Sequence, residues 1–302
     1  MAVGLSLAVA GLLAAGCGSV RGQEIRPVTG SPPSEGQRVA LVTGSTGGLG
    51  RELARRLAAK GDHVVVHGRD IERGTALVEE IEAQTDGSAR FYRADFGSLD
   101  ETRALAEAIR RDYDRLDILV NNAGILLGGL RRLSEDGHEL HFQVNYLAHF
   151  LLTHELLPLL RASAPSRIVH VSSVAQQPID FDDVMLENGY SDGRAYAQSK
   201  LAQILFTFDL AEALEGSGVT TDAVHPASLM NTDMVLERSM RVRSTVEEGA
   251  DAVMHVVDEV EGSGRYFNQT QVDRAHEQAY DAEARARLRR LSQRLTGVQD
   301  PG

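Results

Sequence analysis

From residue 38 onward, short aliphatic runs alternate with longer stretches whose apolar residues recur every three or four positions. Short apolar runs closed by turn residues read as buried strands, and the longer period reads as amphipathic helix. Strands are predicted at 39–42, 63–67, 90–93, 117–121, 167–172, 219–224 and 265–267. Helices are predicted at 48–60, 70–83, 98 to about 111, about 137–160, 195–214 and about 272–295; Ser98 and Glu101 open the third at capping-box spacing. This alternation implies an α/β fold in a single domain: a doubly wound, seven-stranded parallel sheet with helices on both faces. No repeat and no second boundary interrupts residues 38–302.

Residues 1–37 read differently. Met1 to Gly16 carry no charge and are mostly small or apolar, a run too short to span a bilayer comfortably. Leu13-Ala14-Ala15-Gly16-Cys17 resembles a bacterial lipoprotein cleavage box, in which Cys17 would take a lipid and anchor the chain to a membrane. No Lys or Arg precedes the apolar run, so a plain N-terminal extension is the other reading. Gly22, Gly30, Pro32, Pro33 and Gly36 then mark a flexible tether outside the fold.

Charge and composition narrow the function. With 31 basic and 43 acidic side chains the net charge is −12, and no run of five Lys or Arg occurs, which argues against a nucleic-acid partner. The one cysteine, Cys17, excludes an internal disulfide framework. No CxxC or Cys/His cluster is present, and His138 and His141, three apart on a predicted helix, have no matching carboxylates, so no metal site is expected.

Thr43-Gly44-Ser45-Thr46-Gly47-Gly48-Leu49-Gly50 joins the first predicted strand to the first helix. The glycines allow a tight turn and a close approach to a pyrophosphate, and the helix start offers free N–H groups. Alone, the loop also fits a plain turn. The second strand ends His67-Gly68-Arg69, with no acid to hold a ribose 2′-hydroxyl before Asp70. Arg69 can instead fork onto a 2′-phosphate, which favours NADP(H), with NAD(H) as the alternative. Asp95, ending the third strand, suits an adenine amino group or a helix cap.

Tyr196 and Lys200, four apart on a predicted helix, share one face. An ammonium beside a phenol favours the phenolate and suits the pair to acid–base work. Ser173, ending the fifth strand, can hydrogen-bond a substrate carbonyl or hydroxyl, and Asn145 can hold a water that links Lys200 to solvent.

Together these pieces resemble the short-chain dehydrogenase/reductase family. The likeness rests on Thr43-Gly44-x-x-x-Gly48-x-Gly50, Asn121-Asn122-Ala123-Gly124, Asn145, Val171-Ser172-Ser173, Tyr196-x-x-x-Lys200 and His225-Pro226, in the family's order, over about residues 38–295. Glu135-Asp136-Gly137-His138-Glu139, Asn145-Tyr146-Leu147-Ala148-His149-Phe150 and Ile179-Asp180-Phe181-Asp182-Asp183 look like its retinol-dehydrogenase-like branch.

The resemblance implies a Rossmann fold and NADP(H)-dependent hydride transfer on a carbonyl or alcohol group of a small apolar substrate. Tyr196 would be the acid/base, Ser173 would polarise the carbonyl, and Asn145 would complete a proton relay. Lys200 would lower the Tyr196 pKa and, with Tyr196, face the nicotinamide ribose. Asn122, Ala123 and Gly124 would line the adenosine side, and Pro226 and Thr232 the nicotinamide side. Pro226-Ala227 departs from the family's Pro-Gly, and Thr232 comes one residue late. The loop 228–244 carries Leu229, Met230, Met234, Val235, Leu236 and Met240, which suit an adaptable apolar pocket or an ordinary packed helix. Arg238, Arg241 and Arg243 read as solvated charges or as contacts for an acidic substrate. Relatives commonly pair through the helices bearing Asn145 and Tyr196, which implies a homodimer or homotetramer. A reductase cofactor argues for the cytoplasm and the Cys17 segment for export. The rival reading is a dinucleotide-binding regulator or scaffold without turnover.

Overall fold

A computed structural model describes residues 24–299. The chain enters through a two-residue strand, β1 (Thr29–Gly30), and then alternates strand and helix. The order is β2 (Val39–Val42), α1 (Gly48–Ala59), β3 (His63–Gly68), α2 (Ile71–Gln84), β4 (Ser88–Arg93), α3 (Leu99–Asp112) and β5 (Ile118–Asn121). A π-helical turn, Phe142–Leu147, runs into α4 (Ala148–Ala162). Then come β6 (Ser166–Val171), α5 (Asp192–Ala213), β7 (Val219–His225), a short α6 (Asp233–Leu236), α7 (Val246–Asp258), β8 (Tyr266–Asn268), β9 (Gln271–Val272) and α8 (Ala282–Thr296).

The sheet order is β1-β4-β3-β2-β5-β6-β7-β8-β9. The seven strands β2 to β8 run parallel, as the sequence predicts, and the two-residue β1 and β9 add antiparallel edges. Strand alternation sorts the core. Ala40, Val42, Val64 and Val66 face α1, α2 and α7, while Val39, Leu41 and Val65 face α3, α4 and α5. Leu53, Leu57 and Leu77 on the first face, and Leu105, Leu152 and Leu205 on the second, are fully buried. Each such side chain contributes about 1.5–3 kcal/mol.

Four expectations change. The tether reading fails at Thr29–Gly30, which pairs with β4, and at Gln37, whose side chain donates to the Gly61 carbonyl (2.8 Å). The helix expected from residue 137 opens later, because Gly137 sits in a turn at φ +80°. The final helix starts at Ala282 under an Asp281 cap, not at residue 272, which lies in β9. Helix α7 was not anticipated, although Thr245 and Glu248 form a full capping box. Cys17 lies outside the described residues. Among the described residues no helix is long and apolar enough to cross a membrane.

Candidate active site

Between β2 and β5 the strand order reverses direction. Doubly wound sheets bind ligands at the carboxyl ends of such a pair. A cleft of about 1180 Å³ opens there.

Its first arm is the turn from β2 into α1. Gly44 takes a φ of +65°. A Cβ on Gly50 would lie 2.3 Å from the Gly44 carbonyl oxygen and 2.5 Å from Asn122 Nδ2, so only glycine lets the helix pack this close. Side chains of Asp70, Ser98, Ser191, Thr245 and Asp281 cap α2, α3, α5, α7 and α8. Helix α1 starts at Gly47 with no side-chain cap and no acid in its first turn. Its free N–H groups and positive dipole end suit an anion, and this donor set fits a dinucleotide pyrophosphate.

Gly44, Thr46, Gly48, Leu49 and Gly50 line the cleft, but Thr43 and Ser45 do not. Thr43 continues the β2 alternation toward α4, and its Oγ1 accepts from the Asn122 and Ala123 N–H groups at 2.9 and 3.0 Å. Ser45 Oγ donates to the Val42 carbonyl (2.8 Å) and accepts from the His67 N–H (3.0 Å). Both hydroxyls hold the loop itself and stand behind the residues that line the cleft. Asn122 Nδ2 donates to the Thr43 carbonyl (2.8 Å) and ties β5 to the turn. Asn122, Ala123 and Gly124 all line the cleft.

Arg69 stands at the mouth, with a largely exposed side chain and Nη1 3.5 Å from Asp95 Oδ2. The other Asp95 oxygen accepts from the Gly97 N–H (2.8 Å). Arg73, in the first turn of α2, comes close to the glycine turn without lining the cleft. Its Nη1 lies 3.6 Å from where a Gly47 Cβ would sit and donates to Asp233 Oδ2 at 2.8 Å. Pro226 and Thr232 line the same arm, and the Thr232 methyl would come within 3.1 Å of a Cβ on Gly48.

The second arm carries the candidate chemistry. Helix α5 sets Tyr196 and Lys200 on one face, with Lys200 Nζ 5.7 Å from the centre of the Tyr196 ring. Ser173 follows β6, lies close enough to Tyr196 to influence its phenol, and accepts from the Ala175 N–H (3.0 Å). Asn145 sits in the π-helical turn, outside the cleft lining. Its Nδ2 donates to the Ile125 carbonyl (3.1 Å) and Ser199 Oγ (2.9 Å), and its Oδ1 accepts from the Ile125 N–H (2.7 Å). It therefore braces the segment after Gly124 against α5. A Cβ on Gly124 would lie 3.4 Å from Asn145 Oδ1 and 3.5 Å from Lys200 Nζ, so both groups flank one spot.

Burial governs the charges. Desolvation pulls Lys200 down to about 7. Desolvation also raises Tyr196, against the opposing pull of the Ser173 hydrogen bond. Burial, and not Lys200, thus sets the direction in which Tyr196 shifts.

The 228–244 loop closes the cleft as one of its walls. Leu229, Met230, Met234, Val235 and Met240 line the cleft, whereas Leu236 turns to solvent. Arg238 lies against Asp192, the first residue of α5 (2.5 Å), so it belongs to the wall. Arg243 also lines the cleft, while Arg241 is exposed outside it.

Comparison with known proteins agrees with this fold. A family model for short chain dehydrogenases matches residues 38–243. Retinol dehydrogenase 12 of Homo sapiens is 38% identical over 277 residues, covering 87% of each chain. Retinol dehydrogenase 11 of Mus musculus is 44% identical over 195 residues, covering 64% of this chain and 61% of that one. Among solved structures, an uncharacterized protein from Mycobacterium paratuberculosis matches with a TM-score of 0.75 and 30% identity, covering 91% of this chain and all of that one. A short chain dehydrogenase from Burkholderia cenocepacia in complex with NADP matches with a TM-score of 0.61 and 31% identity, covering 77% and 96%. The chain therefore belongs to the short-chain dehydrogenase/reductase family of oxidoreductases, on its retinol-dehydrogenase-like branch.

Proposed function

We propose that this oxidoreductase uses NADP(H) to interconvert a carbonyl and an alcohol on a small, apolar substrate. The observation that carries the reading is one cleft that joins an uncapped helix start, with Arg69 at its mouth, to Ser173, Tyr196 and Lys200. Gly44, Thr46, Gly48, Leu49 and Gly50 would hold the pyrophosphate, Arg69 the 2′-phosphate, and Lys200 the nicotinamide ribose. The dinucleotide, when bound, supplies or accepts the hydride.

This chain's own residues do the rest. Burial keeps the Tyr196 phenol protonated, the form required to donate a proton to a carbonyl oxygen. The Ser173 hydroxyl donates to the same oxygen and stabilises the charge that develops there. The Lys200 ammonium favours the phenolate left behind. Leu126, Val144, Val174 and Met240 give the substrate arm its apolar lining.

The test pairs turnover with binding. Tyr196→Phe is expected to lower NADPH-dependent reduction of decanal and retinal by about 10²–10⁴-fold, while NADPH fluorescence titration stays as in the parent. Arg69→Ala is expected to weaken NADPH and spare NADH. Undiminished turnover in the Tyr196 variant refutes the mechanism. Cofactor binding with no turnover across a broad carbonyl panel favours the regulator or scaffold reading. Preference for NADH refutes the role of Arg69.

A further inference from the structure

Gln203 lies three residues beyond Lys200, on the stripe of α5 that already carries Tyr196 and Lys200. It is fully buried, and Lys200 is nearly so. Lys200 Nζ donates to the Val171 carbonyl at 2.8 Å and to Gln203 Oε1 at 3.0 Å. An ammonium has three protons to give. With two engaged, one is left for the cleft that Lys200 lines, where a Cβ on Gly124 would stand 3.5 Å from Nζ.

Two oxygen acceptors do more than aim the side chain. Acceptors favour the ammonium over the free amine, whereas desolvation favours the amine. The Val171 carbonyl belongs to the sheet and is fixed. Gln203 is thus the side chain through which this balance can be set. The other titratable groups facing Lys200 are Tyr196 on α5, His149 on α4, His170 on β6 and His225 on β7. Burial holds the three histidines at about 3, 3 and 4, so they are neutral at pH 7. No carboxylate is paired with Lys200 among the described residues.

We propose that Gln203 is a positioning residue: its carboxamide oxygen holds Lys200 as an ammonium aimed at the cleft, and so sets the pH at which Tyr196 exchanges its proton. The effect on Tyr196 rests on the function proposed above, but the hold on Lys200 does not.

The chain contains two lysines, Lys60 and Lys200, so protein labelled with ¹³C at lysine Cε gives two NMR signals, assigned with Lys60→Arg. Gln203→Met keeps the length and removes the acceptor; Gln203→Glu keeps an acceptor oxygen and adds charge. In the full chain without cofactor, the Lys200 midpoint is expected to fall by about one pH unit in the Met variant, a tenfold change in the ammonium-to-amine ratio. It is expected to rise in the Glu variant. In oxidation of decan-1-ol with NADP⁺, the rising limb of the pH–rate profile should move to higher pH in the Met variant and not in the Glu variant. An unchanged Lys200 midpoint in the Met variant overturns the proposal, and so does an upward limb shift shared by both variants. If the Met variant does not fold, absence of a rise in the Glu variant overturns it equally. Shifted midpoints with no decanol turnover in any protein would uphold the hold on Lys200 and count against the proposed function.

Discussion

Thr43→Val removes one hydroxyl and preserves the shape of a fully buried side chain. That hydroxyl accepts from two backbone donors, the Asn122 and Ala123 N–H groups, at 2.9 and 3.0 Å, and lies 3.1 Å from His149 Nε2. An unpaired buried N–H costs about 1–3 kcal/mol. Two orphaned donors therefore predict a loss of about 2–6 kcal/mol, a large share of the stability of an ordinary domain. Thr43→Ser is the control: it keeps the oxygen and removes one buried methyl, at a cost of about 1 kcal/mol. Urea unfolding of both variants beside the parent, compared at equal m, measures the two losses. NADPH titration of the same samples asks a second question, because the hydroxyl does not line the cleft and the Ser variant should bind the cofactor as the parent does. The reasoning is refuted if Val costs no more than Ser, or if a folded Ser variant loses NADPH.

Gly50→Ala would drive a Cβ to within 2.3 Å of the Gly44 carbonyl oxygen, whereas at Gly47 the nearest atom is an arginine tip 3.6 Å away. Overpacking at Gly50 should cost about 1–3 kcal/mol and most of the NADPH affinity, and equal behaviour of the two alanine variants in unfolding would contradict this. Desolvation holds His63, His67 and His225 at about 4, and His149 and His170 at about 3, so below pH 6.5 the unfolded chain binds more protons than the native one. Stability should therefore fall as pH drops from 6.5 toward 4, offset in part by Asp222, which burial raises to about 6; a urea midpoint unchanged between pH 7 and pH 5 would count against it.

What the sequence showed of this fold follows from what each element buries. The strands of the parallel sheet are covered on both faces, so they appear as unbroken apolar runs, and 39–42 is read to the residue. Thr29–Gly30 has no such run, because a two-residue edge strand is held by backbone pairing, which any sequence can supply. Helix α7 did carry signals, in its capping box and in Ala250, Val253 and Val257 on one face, but it follows a methionine-rich loop that invited a reading as cleft lining.

The site divides along the same line. Position along the chain was legible for Tyr196, Lys200, Ser173 and the glycine turn, because helix spacing and strand ends fix where such residues fall. Orientation was not. Past the end of a strand the period of two no longer says which way Ser45 points, and the π-helical turn moves Asn145 off the 3.6 period; Thr43 keeps the strand alternation, which aims it away from the cleft. The structure turns those three inward, where each holds backbone that the cleft is built from. Gln203 illustrates the opposite limit. It sits well inside a helix, its direction is fixed by the same spacing that aligns Tyr196 and Lys200, and only its residue type hid it among core positions. A buried amide on the helix face of Lys200 thus carries more information than a polar residue in the turn beside it, because the helix has already settled what it touches.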